Sequence, residues 1–376
     1  MRDSFAPPLP SRSSVPAPRV LSVDVALPEH RYEQAEVLAA LKRRWSHRGP
    51  ILHRLDRFFR TVEVRGRALA LPIPDYDELH TFGQANDAFV RVGTELGAKA
   101  VRNACFEAGV ALTDIDALFF TTVTGLATPT IDARLVNVLG LRTDVRRVPM
   151  FGLGCVGGAA GLARTSEWLR GQTDGIAVLL SVELCSLTIQ DDVSIASLVA
   201  SGLFGDGAAA VVLAGADRAP RSSRSPTNVM HLRRGPRIVA AKSVFFRNTE
   251  RVMGWDIGET GFKVVLSADV PKIARERLAP EIDLLLREND LARSAIAHWV
   301  CHPGGPKVIE AIEEALELGA GGLDVTRRSL AEVGNLSSAS VLHVLAETNR
   351  RARPGDRGVL LAMGPGFCAE LVLLQW

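Results

Sequence analysis

Cys155 lies in the segment FGLGCVGGAAGL (151–162), where an apolar run gives way to a helix-compatible one. A buried structural cysteine needs no such lack of side-chain bulk. A nucleophile does, because a substrate must reach its sulfur. A thiol at a helix start meets unpaired backbone N–H groups and the positive end of the helix dipole, which favour thiolate over thiol. Gly154, Gly157 and Gly158 leave room for an acyl group, and their N–H groups suit an oxyanion. His302 opens HPGG (302–305) at the end of the strand-like run HWVCH, ahead of a helix expected over 307–316. Proline and glycines fix that turn and leave the ring uncrowded. Asn335 stands in GNLSSASVL (334–342), a small-residue turn into a helix, where asparagine alone would be an ordinary cap. Together the three suit acyl transfer. The thiol carries a thioester, and the His and Asn N–H groups hold an enolate oxygen. No acidic base belongs to the trio, so hydrolysis by activated water is not its obvious use. Decarboxylation of a malonyl thioester needs only an oxyanion site, and the resulting enolate then attacks the acyl-cysteine. His298 and His343, inside a strand-like and a helix-like run, are expected to be structural.

These residues lie far apart in the chain, so the elements around them must bring them together. Apolar runs over 20–27, 117–122, 175–181 and 208–213 read as strands, and 33–44 and 88–109 as helices. Strands separated by helices imply an α/β fold with both sheet faces covered. The second half looks like a copy of the first. GCVGGAAGL (154–162) lines up with GNLSSASVL, which puts Cys155 opposite Asn335. Thr122 ends a strand 33 residues before Cys155, and His302 ends one 33 residues before Asn335. Gly205-Asp-Gly207 precedes the strand AAAVVL, and Gly364-Pro-Gly366 precedes AELVLL. A pseudo-twofold pairing of the halves would bring equivalent strand ends and helix starts to the centre. The expected division is a flexible tail over 1–18, a first half over 19–225 and a second over 226–376. The polar stretch 216–237 reads as the linker between the halves.

Bulk properties narrow the function classes. The 44 Lys and Arg against 42 Asp and Glu leave a net charge of +2, too even for a dedicated nucleic-acid surface. No apolar run reaches the roughly 18 residues of a membrane span. The Pro-rich start has no apolar h-region and is not read as a signal peptide. Five widely spaced cysteines form neither a metal pair nor a disulfide framework, so free thiols in a reducing cytoplasm and no bound metal are expected.

With these motifs in hand, the chain resembles the thiolase superfamily, and within it the type III polyketide synthases, the chalcone synthase-like enzymes. The likeness runs from about Val20 to the end and rests on GCVGG, LFGDGAA, HPGG, GNLSSAS and GPG in that order. It implies a homodimer of duplicated, five-layered αβαβα subunits that takes acyl-CoA and malonyl-CoA as substrates and needs no cofactor. It implies Cys155 as the loaded nucleophile, with His302 and Asn335 holding the malonyl thioester carbonyl. Phe204 matches a gatekeeping aromatic, and Cys185, Thr188 and Ser337 match positions that shape the family's cavity. The second gatekeeping phenylalanine falls on Val264, which implies a wider passage. Gly364, Pro365 and Gly366 keep the family's GPG, although Ala362 replaces an earlier glycine. Thr128 takes the place of a methionine that in plant enzymes reaches the partner subunit.

The segment 253–264 is similar to bacterial alkylresorcinol and alkylpyrone synthases, with Trp255 as a cavity wall, and implies a fatty acyl starter. Arg65 and Arg67 sit nearest the family's basic CoA-binding segment, while Arg54, Arg57 and Arg60 read as a solvated helix face. Three alternatives stand beside this reading. One is a single-condensation, ketoacyl synthase III-like enzyme. Another is a type III synthase primed by malonyl-CoA or an aromatic CoA. The last is a silent acyl-CoA-binding protein, against which the intact Cys, His and Asn speak.

Overall fold

The computed structural model describes residues 17–218 and 235–376. The boundary expected at 225/226 and most of the tail expected over 1–18 lie outside the described residues. The first-half strands are β1 (Arg19–Ala26), β2 (His30–Glu33), β3 (Gly66–Leu69), β4 (Ala117–Thr122), β5 (Arg146–Phe151), β6 (Ile176–Leu184) and β7 (Asp206–Ala214). Those of the second half are β8 (Arg237–Phe245), β9 (Met253–Gly258), β10 (Gly261–Leu266), β11 (His298–Cys301), β12 (Arg357–Gly364) and β13 (Cys368–Gln375). Nine of them pair in the order β11-β12-β13-β8-β1-β7-β6-β4-β5.

That order contains the expected copy. β1, β7, β6 and β4 join antiparallel, antiparallel and parallel. β8, β13, β12 and β11 repeat the same senses. Between the halves, β1 and β8 pair only at Arg19 and Arg237. So thin a seam lets the two halves turn face to face, and the core shows that they do. Ala117, Phe119, Leu179 and Val211 of the first half share one buried cluster with Val300, Leu360 and Val372 of the second. Their chain neighbours Leu118, Phe120, Val178 and Val212 point the opposite way.

This alternation fixes five layers. The helices Phe82–Ala108 and Ile131–Leu139 cover the outside of the first half. Gly157–Gly171 and Ser338–Asn349 lie between the halves. Val270–Arg287 and Pro306–Leu316 cover the outside of the second. A one-residue slip of any central strand would exchange its two faces, and each misplaced Leu or Val forfeits about 1.5–3 kcal/mol of burial. The helix expected over 88–109 starts earlier, at Phe82. The Thr81 hydroxyl accepts from the Gln84 N–H at 3.2 Å, and Gln84 Oε1 accepts from the Thr81 N–H at 3.0 Å.

The two central helices begin against each other. A Cβ on Gly158 would lie 2.1 Å from the Ser338 carbonyl oxygen, so only glycine permits the approach. Because main chain is the obstacle, Gly158→Ala is expected to destabilise the fold by about 1–3 kcal/mol. A urea titration of wild type and variant at one pH reads the difference.

Candidate active site

Each of the three residues picked out by their chemistry is carried by the end of a buried element. Cys155 lies in a single 3-10 turn, Gly154–Val156, between β5 and the central helix Gly157–Gly171. Gly154 is left-handed (φ +54°), and a Cβ there would meet the Pro365 ring at 2.6 Å. The GPG turn thus presses on the nucleophile's own turn. His302 follows β11, and its N–H donates to the Leu361 carbonyl at 2.9 Å. Asn335 bridges to the segment around Phe204. Its N–H donates to Leu203 O at 2.9 Å, and its carbonyl accepts from Gly205 N at 3.0 Å. Asn335 Oδ1 accepts from the Ser337 N–H at 2.8 Å, which leaves Nδ2 as the edge that donates.

The three residues line one cavity of about 60 Å³ with Phe204, Trp255, Val264, Cys185, Ser337 and Pro365. Thr188 lies past Phe204 and Trp255, in a small neck. Beyond the neck, with Thr188 and Phe204 again in its wall, is a chamber of about 420 Å³. Gly364 ends β12, and Gly366 follows Pro365 in the turn after it. Thr128 sits in an exposed loop and lines none of the three cavities. Among the described residues, no group of three or more His, Cys, Asp or Glu is placed to hold a metal ion.

The structure bears on three expectations. The first is the charge of Cys155 and His302. A preformed thiolate was expected from the helix start, but burial pushes the Cys155 thiol up to about 12, and the Ser337 hydroxyl at 3.8 Å only partly opposes this. Burial also drives His302 down to about 3, and neither ring nitrogen has a hydrogen-bond partner among the described residues. Burial thus opposes a lone charge on either group, against the helix start, which favours the thiolate.

The second concerns Val264. Trp255 pairs directly across from it in the β9–β10 hairpin, so both side chains share a face. The indole also packs on Phe262 with ring centres 6.0 Å apart. Trp255 and Val264 thus lie side by side in the wall of the Cys155 cavity. The third concerns Arg67, which is 1% exposed and donates to main-chain carbonyls rather than facing a phosphate. Arg65 is on the surface, 3.7 Å from Glu332.

Glu183 escaped notice in the sequence, although a lone acid in the apolar run IAVLLSVEL was a signal. It is fully buried behind Cys155. Its carboxyl accepts from Val123 N at 3.1 Å, from Thr124 Oγ1 at 2.9 Å and from the Ser338 hydroxyl. It thereby ties the end of β4 to the start of the second central helix. Burial raises its pKa from 4.5 to about 7, against those hydrogen bonds. The folded protein therefore keeps a proton that the unfolded chain releases near pH 4.5. That stabilising share is complete below pH 4.5 and lost as pH rises through about 7. The stability advantage of wild type over Glu183→Gln should fall between pH 4.5 and 7 and level off above. Urea titrations at pH 5, 6, 7 and 8 check the slope.

The chain matches the family models for chalcone and stilbene synthases, the N-terminal domain over residues 11–218 and the C-terminal domain over 237–376. It is 49% identical over 359 residues to a 1,3,6,8-tetrahydroxynaphthalene synthase of Streptomyces peucetius subsp. caesius, covering 95% of this chain and 93% of that protein. It is 32% identical to a 3,5-dihydroxyphenylacetyl-CoA synthase of Streptomyces toyocaensis, covering 96% and 90%. Its structure superposes on the crystal structure of the 1,3,6,8-tetrahydroxynaphthalene synthase of Streptomyces coelicolor A3(2), described as a bacterial type III polyketide synthase. The TM-score is 0.86 at 29% identity, covering 95% of this chain and 99% of that one. The likeness spans nearly the whole of a duplicated five-layer fold: this protein belongs to the chalcone and stilbene synthase family and is a type III polyketide synthase, an acyltransferase that extends its chain by repeated decarboxylating condensation.

Proposed function

We propose that this synthase is primed and extended by malonyl-CoA and closes its chain to a small polyhydroxylated aromatic. The observation that carries the reading is the small cavity of about 60 Å³ around Cys155, walled by Phe204, Trp255, Met253 and Met363. So small a space leaves no room for a long extended chain beside Cys155. The similarity to synthases named for tetrahydroxynaphthalene and dihydroxyphenylacetyl-CoA supports the same class of product.

Burial opposes a lone charge on either group, and this sets the order of events. As Cys155 Sγ attacks the starter thioester, its proton moves to His302 and reaches the departing CoA sulfur. The charges appear together, so each offsets the other's desolvation. Malonyl-CoA then loses CO2, and the electron pair of the broken C–C bond forms an enolate. Its oxygen is held by an imidazole N–H of His302 and by Asn335 Nδ2. The enolate carbon attacks the acyl carbonyl on Cys155, a C–C bond forms, and Sγ leaves. The lengthened chain, now on CoA, returns to Cys155 for the next round. Exclusion of water protects the thioester and the enolate alike.

A second reading, a fatty acyl starter giving an alkylpyrone or alkylresorcinol, is favoured by the chamber of about 420 Å³ beyond the neck. Its wall includes Val37, Leu41, Leu69, Phe82 and Leu187. The homodimer expected for the family is supported by β5, whose outer edge is unpaired among the described residues and whose Phe151 is 47% exposed.

Incubation of the purified protein with malonyl-CoA alone, followed by mass spectrometry, is expected to yield a polyhydroxylated aromatic and CO2. Product formed only when a fatty or aromatic acyl-CoA is added would overturn malonyl priming. Cys155→Ala should lower product below about a thousandth of wild type. Trp255→Ala is expected to join the neck to the Cys155 cavity and shift the product spectrum toward longer acyl starters. Competition between malonyl-CoA alone and a ladder of acyl-CoAs measures that shift.

A further inference from the structure

Arg67 is a buried cation that the reaction does not use, and its bonds converge on one place. Nη1 donates to the carbonyls of Ser201 at 2.9 Å and Phe204 at 2.6 Å. Nη2 donates to the carbonyl of Gly202 at 2.5 Å and to Gln34 Oε1, and Gln34 Nε2 also donates to Gly202 O at 2.9 Å. These carbonyls end the helix Ile195–Leu203, where backbone acceptors lack helical partners and the dipole is negative. A planar guanidinium presents its donors as a rigid fork that spans these spread oxygens, whereas an ammonium is a compact point charge on a flexible stem. The fork is held in turn. It lies 5.8 Å from the centre of the Phe59 ring, and the carboxyl of Asp206 supplies the counter-charge. Asp206 is itself pinned by Ala70 N at 2.6 Å and Ser186 N at 2.8 Å.

The other side of the same segment is bound to the catalytic loop. Leu203 O accepts from Asn335 N and Gly205 N donates to Asn335 O, so Phe204 is bracketed by Asn335 on one flank and Arg67 on the other. The gate aromatic and the amide that would hold the enolate therefore share one short piece of main chain. We propose that Arg67 is the positioning residue that holds Phe204 and Asn335 in one frame, so that decarboxylation stays coupled to chain extension. This rests on the condensation reading given above. Without the fork, Phe204 and Asn335 shift relative to Cys155. An enolate formed out of line then takes a proton from water instead of attacking the acyl carbon. Malonyl-CoA leaves as acetyl-CoA and CO2, and no C–C bond forms.

The test is a partition ratio, acetyl-CoA released per full-length product, which does not depend on how much enzyme is folded. Arg67→Lys keeps the charge beside Asp206 but loses the fork. Its ratio should rise between about tenfold and about a hundredfold. Gln34→Leu leaves Arg67 in place and removes its orienting acceptor, and it should raise the ratio in the same direction by less. Should Arg67→Lys fail to fold, Gln34→Leu decides alone. A folded variant with less activity but the wild-type ratio would reduce Arg67 to a structural cation and overturn the proposal. The wild-type control keeps the two claims apart. Wild type that makes product only from another starter overturns malonyl priming, and the ratio is then read with that starter.

Discussion

Two helix starts meet main chain to main chain at the centre of this protein, and the reactive groups are arranged around that meeting. Gly158 lies against the Ser338 carbonyl with no room for a Cβ. One side of the contact carries the turn with Cys155, and the other carries the loop with Asn335 and Ser337. Glu183 clamps the same junction from behind through Ser338 and Thr124. A site built on the ends of buried helices and strands holds its geometry far better than one built on surface loops. The close approach is what lets residues from two half-chains act as one constellation.

That placement also decides the electrostatics. A site at the middle of five layers is buried, and burial opposes a lone charge on Cys155 or on His302. The same burial suits a reaction whose intermediates, a thioester and an enolate, are lost to water. Around the cavity, control passes to main chain and aromatic rings. Trp255 lies beside Val264, and Phe204 stands where three cavities adjoin.

Much of the architecture was legible because burial on both strand faces writes near-continuous apolar runs. The runs at 117–122 and 208–213 fall within β4 and β7. The equal spacing of Thr122 to Cys155 and His302 to Asn335 exposed the duplication, since a repeated unit must place its strand ends and helix starts at equal intervals. Helix beginnings were less legible. The helix expected from residue 88 starts at Phe82, since its start is set by the Thr81–Gln84 hydrogen bonds rather than by apolar periodicity.

The sequence by itself determined the chemistry: a thiol among small residues, an uncrowded imidazole, an amide in the matching position, and the order of strands that could bring them together. Tertiary structure alone decided what surrounds those groups. An arginine reads the same in sequence whether it meets a phosphate or a helix end, and Arg67 meets the helix end because its fork is folded inward under Phe59. A valine reads as an opening, and the hairpin sets Trp255 beside Val264. A cysteine at a helix start reads as a thiolate, and burial around Cys155 acts against that charge. In each case residue type sets what a group can do, while its charge, width and partner depend on neighbours distant in the chain.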